Sequence, residues 1–199
     1  MSAVQVMRAE PSDAAAVADL IALAFHPLQA AKWLAPDPAQ RLRMLAGQFA
    51  ILVEHARVHG TVCRTSDGDG VAVWFDRTRP VPEPPDYQSR LAAVCGGAVA
   101  RFTLLDELFE THHPAGPHHH LAFLAVTPAA QGRGLGTALL ERHHAYLDAN
   151  GVPAYLEASS ERSRALYARH GYHHDEPFRL PDETPFWPMW REPRAGPGS

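Results

Sequence analysis

His118-His119-His120-Leu121-Ala122-Phe123-Leu124-Ala125-Val126-Thr127-Pro128-Ala129-Ala130-Gln131-Gly132-Arg133-Gly134-Leu135-Gly136-Thr137-Ala138-Leu139-Leu140-Glu141 decides the fold. Its first half, His120 to Val126, is short and nearly all apolar, and Thr127-Pro128 ends it. Proline cannot extend a hydrogen-bonded ladder, so this reads as a strand buried on both faces. From Gly136 the period changes. Leu135, Ala138, Leu139 and, a turn later, Tyr146 share one side, with Glu141, Arg142 and Asp148 on the other, as in an amphipathic helix. Between them stand three glycines at alternate positions. Glycine lets a main chain approach a ligand closely, and the free N–H groups of a first helical turn, aided by the helix dipole, favour an anion. The loop is an anion cradle of the kind that takes phosphate, with Arg133 as an adjacent cation.

Working outward, the bulk composition limits the alternatives. A chain of 199 residues with 46% apolar content suits a single domain with an adequate core. The net charge of −4 gives no footprint for nucleic acid. Cys63 and Cys95 are too few for a disulfide framework and read as reduced core residues of a cytoplasmic protein. No stretch has the ~18 apolar residues of a membrane span, and Met1-Ser2-Ala3-Val4-Gln5-Val6 lacks the signature of a signal peptide.

Before the central stretch, Val4, Val6 and Met7 suggest a strand. A helix follows from Ala14 to Phe25 with Ser12 as its cap. Leu28 to Leu34 is a short segment holding Trp33. The next helix spans 39–55, with Leu42, Leu45, Phe49, Leu52 and Val53 on one face. Ser66-Asp67-Gly68-Asp69-Gly70 is a turn between strands at 58–64 and 71–75. Residues 80–85 form a stiff proline-rich loop, and Tyr87 to Thr111 is helical with a break near Gly96-Gly97. The histidine-rich run 112–120 lacks the cysteine or carboxylate partners and the i, i+4 spacing of a metal site, and reads as a solvated loop entering the central strand. No metal is expected.

After the central helix, Gly151 is a stop signal. Val152 to Ala158 is the next strand, parallel to the first through a helical crossover. A helix opens at Ser160 and ends at Gly171, and a terminal hairpin pairs 178–180 with 186–190. Residues 194–199 should fray.

Two patterns in the glycine loop can be set aside. The spacing is not G-x-G-x-x-G, and no Gly-Lys-Ser/Thr ending follows. Gln131-Gly132-Arg133-Gly134-Leu135-Gly136 after Val-Thr-Pro instead resembles the pyrophosphate loop of the GCN5-related N-acetyltransferase (GNAT) superfamily. Ser160-Glu161-Arg162-Ser163-Arg164-Ala165-Leu166-Tyr167 with His170-Gly171-Tyr172 resembles the last block of the same superfamily. Val71–Trp74, Gly151–Glu157 and Trp187–Pro193 are similar to its puromycin N-acetyltransferase branch. The resemblance covers most of the chain and is strongest from His118 onward.

It implies an α/β (α+β) fold: one domain, 1–199, whose mixed sheet splays between two parallel strands and carries helices on both faces. Residues 1–117 would shape the acceptor cleft, and 118–193 would form the acetyl-CoA core and the C-terminal hairpin. The implied co-substrate is acetyl-CoA. It would be held by the main chain of Leu124, Ala125 and Val126, by Gln131, Gly132, Arg133, Gly134, Leu135, Gly136 and Thr137, and by Ser160 and Ser163. Many members carry asparagine where Ser160 or Ser163 stands, and serine reaches less far. The implied partner is a small-molecule amine, with no nucleic acid or membrane, for a monomer or homodimer.

Attack of an amine on a thioester needs an acid for the departing thiolate and a base for the amine proton. Tyr167 is the candidate acid, because its ordinary pKa of about 10 lies close to that of a thiol. Glu157, in the strand beside the cofactor, and His120, at the mouth of the other strand, are competing bases. Phe25, Trp33, Trp74 and Tyr87 are candidate walls of an aromatic acceptor pocket. Two alternatives remain at this point: acetylation of a peptide in a groove lined by Asp37, Glu83 or Asp86, and a non-catalytic acyl-CoA-binding regulatory module.

Overall fold

The computed structural model describes residues 4–194. Strand β1 (Val6–Arg8) leads through a tight turn at 11–13 into α1 (Ala14–Phe25), α2 (Gln29–Leu34) and the long α3 (Pro38–His59). Ser12 is not the cap of α1. Pro11 starts the turn earlier, and Glu10 and Asp13 close a reciprocal box around it, the Glu10 N–H donating to Asp13 Oδ2 at 2.8 Å. Asp37 caps α3 by accepting from the Ala39 N–H at 2.9 Å, with Pro38 in the first helical position that proline favours. Leu42 lies on the outer side of α3; Leu45, Phe49 and Val53 face inward as the spacing predicts, and Leu52 is half-buried.

Strands β2 (Gly60–Thr65) and β3 (Gly70–Asp76) form the expected hairpin. Helices α4 (Tyr87–Cys95) and α5 (Val99–His112) are separated by a short 3-10 turn at Gly96–Ala98, where the glycine pair predicts the break. The second half runs β4 (His119–Val126), α6 (Leu135–Asn150), β5 (Ala154–Ala158), α7 (Glu161–Arg169), β6 (His173–His174), β7 (Phe178–Arg179) and β8 (Pro185–Arg191).

The sheet runs β1-β2-β3-β4-β5-β8-β6, with β7 added to β8. Among the described residues only β4 and β5 pair in parallel, and their ladder has two rungs, His119 opposite Ala154 and His120 opposite Tyr155. From Leu121 onward the two strands diverge into a V. On its other edge β4 carries one residue more than β3: Val73 faces Phe123 while Trp74 faces Leu121, which leaves Ala122 as a bulge. A bulge bends and twists its strand, and this one sits where the two strands part. Ala122, Phe123 and Leu124 are therefore only half-buried, unlike a strand covered on both faces.

Helices α1 to α5 cover one face, where Val17, Ile21, Leu45, Phe49 and Phe102 join Val71, Val73 and Ala125 in one core. Helices α6 and α7 cover the other, where Leu139, Leu140, Leu147 and Tyr167 cluster with Trp74, Leu121 and Leu156. Tyr146 does not belong to the buried stripe of α6, being 54% exposed; His143 and His144 are buried instead. Each imidazole is satisfied. His143 stacks on Trp74 at 4.1 Å and hydrogen-bonds His119 at 3.0 Å, while His144 meets the Tyr172 hydroxyl at 2.9 Å. Burial is the leading cause that pulls both histidines down to about 3.

Asp148 of α6 accepts from buried Arg191 at 2.8 Å and from the Arg194 N–H at 2.9 Å, so Arg194 is held rather than frayed. The rest of the expected frayed tail lies outside the described residues. Among the described residues, no helix is long and apolar enough to cross a membrane.

Candidate active site

The three loop glycines do different work. Gly132 and Gly134 have φ of +81° and +82°, where a side chain is strained, and nothing lies within 4 Å of where a Cβ would sit. Gly136 is helical, and a Cβ there would lie 3.7 Å from Leu124 and 3.8 Å from Leu166, at the seam between β4 and α7. Gly134 caps α6 without any side chain. The first in-helix bond is the Ala138 N–H to the Gly134 carbonyl at 3.0 Å, so the amides of Leu135, Gly136 and Thr137 have no acceptor within the helix.

The flanking side chains are tied to the scaffold. Arg133 lies 3.6 Å from Asp69 and 4.0 Å from Asp67 of the β2–β3 turn. Thr127 anchors the same turn, its hydroxyl donating to Asp69 Oδ1 at 2.8 Å. Gln131 donates to the Val126 carbonyl at 3.4 Å and accepts from Arg162 at 3.0 Å. Arg162 thus brings a second cation to the loop, which no pattern in the sequence singles out. The Thr137 hydroxyl lies 3.4 Å from His170 Nε2.

Helix α7 ends differently. Ser160 Oγ accepts from the Ser163 N–H, and Ser163 Oγ accepts from the Ser160 N–H, both at 3.1 Å, a capping box. Ser163 also donates to the Ser160 carbonyl at 2.9 Å. Both serines singled out for a cofactor arm are thus occupied in fixing the start of α7, which positions Tyr167. The Tyr167 ring sits edge-on to Tyr172 at 5.8 Å. Burial holds its phenol well above its ordinary pKa, so it carries its proton.

Where β4 and β5 begin to part, on the α1–α5 side, the two competing bases are brought together. His120 Nε2 lies 2.8 Å from Glu157 Oε2, with both side chains largely buried. The histidine-rich segment is not a solvated loop. His118 and His119 are buried, and the His113 side chain is only 10% exposed. His119 points to the other face with His143. His113 and His118 pack with His120 and Tyr155 over Glu157. A helix end, a loop and two strands meet here, so spacing along the chain carries no sign of the cluster.

The aromatic candidates scatter. Phe25 packs edge-on to Phe49 at 5.6 Å and to Phe123 of β4 at 6.1 Å, beside the V. Trp33 lies under the Arg101 guanidinium at 5.7 Å. Tyr87 is buried, and its hydroxyl donates to Asp106 at 2.8 Å. Trp74 has no exposed surface and belongs to the α6 side, because β3 turns it away from α1–α5. It lines no acceptor pocket.

A bare helix end, two left-handed glycines facing open space and an unzipped strand edge fit an extended ligand that carries a diphosphate at one end. The Acetyltransferase (GNAT) family profile matches residues 64–172. A Corynebacterium glutamicum structure described as histone acetyltransferase HPA2 and related acetyltransferase is 28% identical, with a TM-score of 0.73 over 99% of this chain and 100% of that one. Arylalkylamine N-acetyltransferase 2 from Aedes aegypti shares the fold at 13% identity, with a TM-score of 0.63 over 97% of this chain and 100% of that one. A mycothiol acetyltransferase from Beutenbergia cavernae is 48% identical over 52 residues, which is 25% of this chain and 18% of that enzyme. The chain therefore belongs to the Acetyltransferase (GNAT) family, whose members use acetyl-CoA.

Proposed function

We propose that this enzyme acetylates a primary amine of a small molecule in the cytoplasm, the amine attacking the thioester of acetyl-CoA directly. The observation that carries the reading is the His120–Glu157 contact of 2.8 Å at the point where the two strands begin to part. It supplies a proton acceptor on the acceptor side of the strands, opposite the phosphate cradle. Acetyl-CoA, when bound, supplies the activated acyl group. The amides of Leu135, Gly136 and Thr137 hold its diphosphate, with Arg133 and Arg162 as flanking cations, and the open edge of β4 at Leu124, Ala125 and Val126 receives the pantetheine arm.

Glu157 takes the ammonium proton, directly or through water, and His120 orients the carboxylate through their hydrogen bond. Tyr167 keeps its proton until a thiolate develops beside it, then donates. Phe25 and Phe123 line the acceptor side. The stretches resembling puromycin N-acetyltransferases make an aminonucleoside the first acceptor to try. The test is a panel of aminonucleosides, arylalkylamines, polyamines and lysine peptides, read by loss of thioester absorbance. Turnover of a small amine, lowered by Glu157→Gln about 10²-fold or more, supports the reading. Turnover confined to peptides, or none on any amine, overturns it.

A further inference from the structure

The histidines over Glu157 form a chain of fixed protons. His118 Nδ1 lies 2.6 Å from the Gly116 carbonyl, which can only accept, so His118 donates there and bears a lone pair at Nε2. His113 Nε2, at 3.1 Å, must donate to it. That leaves a lone pair on His113 Nδ1, facing Glu157 Oε1 at 4.0 Å, beyond hydrogen-bond reach. On the other side His120 donates from Nε2 to Glu157 Oε2 at 2.8 Å, which leaves its Nδ1 as an acceptor. Glu157 Oε1 and His120 Nδ1 are both buried and find no hydrogen-bond partner among the described residues. The Glu157 side chain is 6% exposed.

The lone pair of His113 Nδ1 and the unpaired Glu157 Oε1 thus face each other with no proton between them, beside His120 Nε2, which would ligate as the other tautomer, and near the buried, unpaired Nε of Arg77. One ligand atom from each of His113, His120 and Glu157 lies within 4.8 Å of the others. Bonds of about 2.0–2.2 Å to a tetrahedral ion separate such atoms by roughly 3.3–3.5 Å, between the 2.8 Å and 4.0 Å contacts seen here. Two histidines and one carboxylate are a donor set for a zinc-type divalent ion with one open position.

We propose that His113, His120 and Glu157 bind one Zn²⁺ ion and that loading it switches the transferase off by capturing the carboxylate that serves as base. The inhibitory half rests on the reading under Proposed function; the metal site does not. An ion on Glu157 occupies the lone pairs that would accept the amine proton, so the bound form keeps its cradle and loses its base. His113 lies outside the proton-transfer machinery and is the residue that separates the two roles.

The test uses the full chain without an affinity tag, titrated with zinc against a chromophoric chelator and followed by thioester absorbance. One ion per chain is expected. Binding should weaken about tenfold or more in His113→Gln and be lost in Glu157→Gln. Zinc should stop turnover in the wild type and a chelator restore it, whereas His113→Gln should keep basal turnover and lose zinc sensitivity by the same factor. Cobalt should give visible absorption that His113→Gln abolishes, a readout independent of turnover. No bound zinc, or equal binding in wild type and both variants, overturns the site. Site-specific zinc binding that leaves turnover unchanged overturns the switch. Zinc binding without acetyl transfer on any amine sinks the reading under Proposed function and leaves the site standing.

Discussion

Gly136→Ala separates what the loop does for the fold from what it does for the ligand. Gly136 is the second residue of α6, and the added methyl would sit 3.7 Å and 3.8 Å from two leucine methyls, which is ordinary contact. Nothing has to move. Alanine is favoured over glycine in a helix by about 0.5–1 kcal/mol, so the substitution should stabilise by that amount. In a chain of this size the melting temperature rises by roughly 1–4 °C. The same methyl occupies the seam between β4 and α7, beside the bare amides. Losing one hydrogen bond to a charged phosphate removes about 1.5–3 kcal/mol, a weakening of roughly ten- to a hundredfold. Gly134→Ala is the control: at φ +82° it should lower stability by about 1–2 kcal/mol. Thermal melts paired with calorimetric titration of acetyl-CoA read both quantities. A Gly136→Ala protein that melts lower than wild type, or binds acetyl-CoA equally well, would refute the reasoning.

Tyr167→Phe should cut kcat by about 10²–10⁴-fold with acetyl-CoA affinity nearly intact; unchanged turnover removes Tyr167 as the acid. Ser160→Ala opens the capping box of α7 and should cost about 1 kcal/mol, seen as a lower urea midpoint that Ser160→Asp largely restores. Tyr87→Phe leaves the Asp106 carboxyl, already pushed up to about 6 chiefly by burial, without its donor. A loss of about 1–3 kcal/mol at pH 8 that shrinks by pH 5 is expected from chemical denaturation. The pH profile follows from four buried histidines. His113, His118, His143 and His144 are held at about 2, 4, 3 and 3, below their ordinary 6.5. The unfolded chain therefore binds more protons than the native one below pH 6.5. Stability is full above that value and falls as pH drops toward the folded values, by up to about 1.4 kcal/mol per histidine per pH unit. A denaturation midpoint that stays flat from pH 7.5 to 5.5 would contradict this.

Much of the architecture was legible because it rests on local signals. The proline after Val126, the glycine pair at 96–97 and the turn at 66–70 each punctuate the chain where their own backbone chemistry demands it. The backbone of the glycine loop was legible for the same reason, since left-handed φ at Gly132 and Gly134 is written in residue identity. What stayed hidden depends on elements distant in sequence. The histidines at 113 and 118 look solvated until α5, β4 and β5 close over them. Trp74 reads as a pocket wall because periodicity gives alternation and not which layer lies on which side. Ser160 and Ser163 are a further case: two hydroxyls three apart satisfy a helix end and a ligand contact equally well on paper.

The bulge at Ala122 acts as a phase shift along β4. His120 and Phe123 both address the α1–α5 layer although they stand three positions apart, while Leu121 and Leu124 address the α6–α7 layer. Unbroken alternation would allow only one of each pair. Excising that single alanine would leave His120, Leu121, Phe123 and Leu124 in plain alternation, each still on its own layer, and would remove only the local bend where β4 parts from β5. What the extra residue supplies is therefore the shape of the opening, without any chemically active side chain being moved to another face.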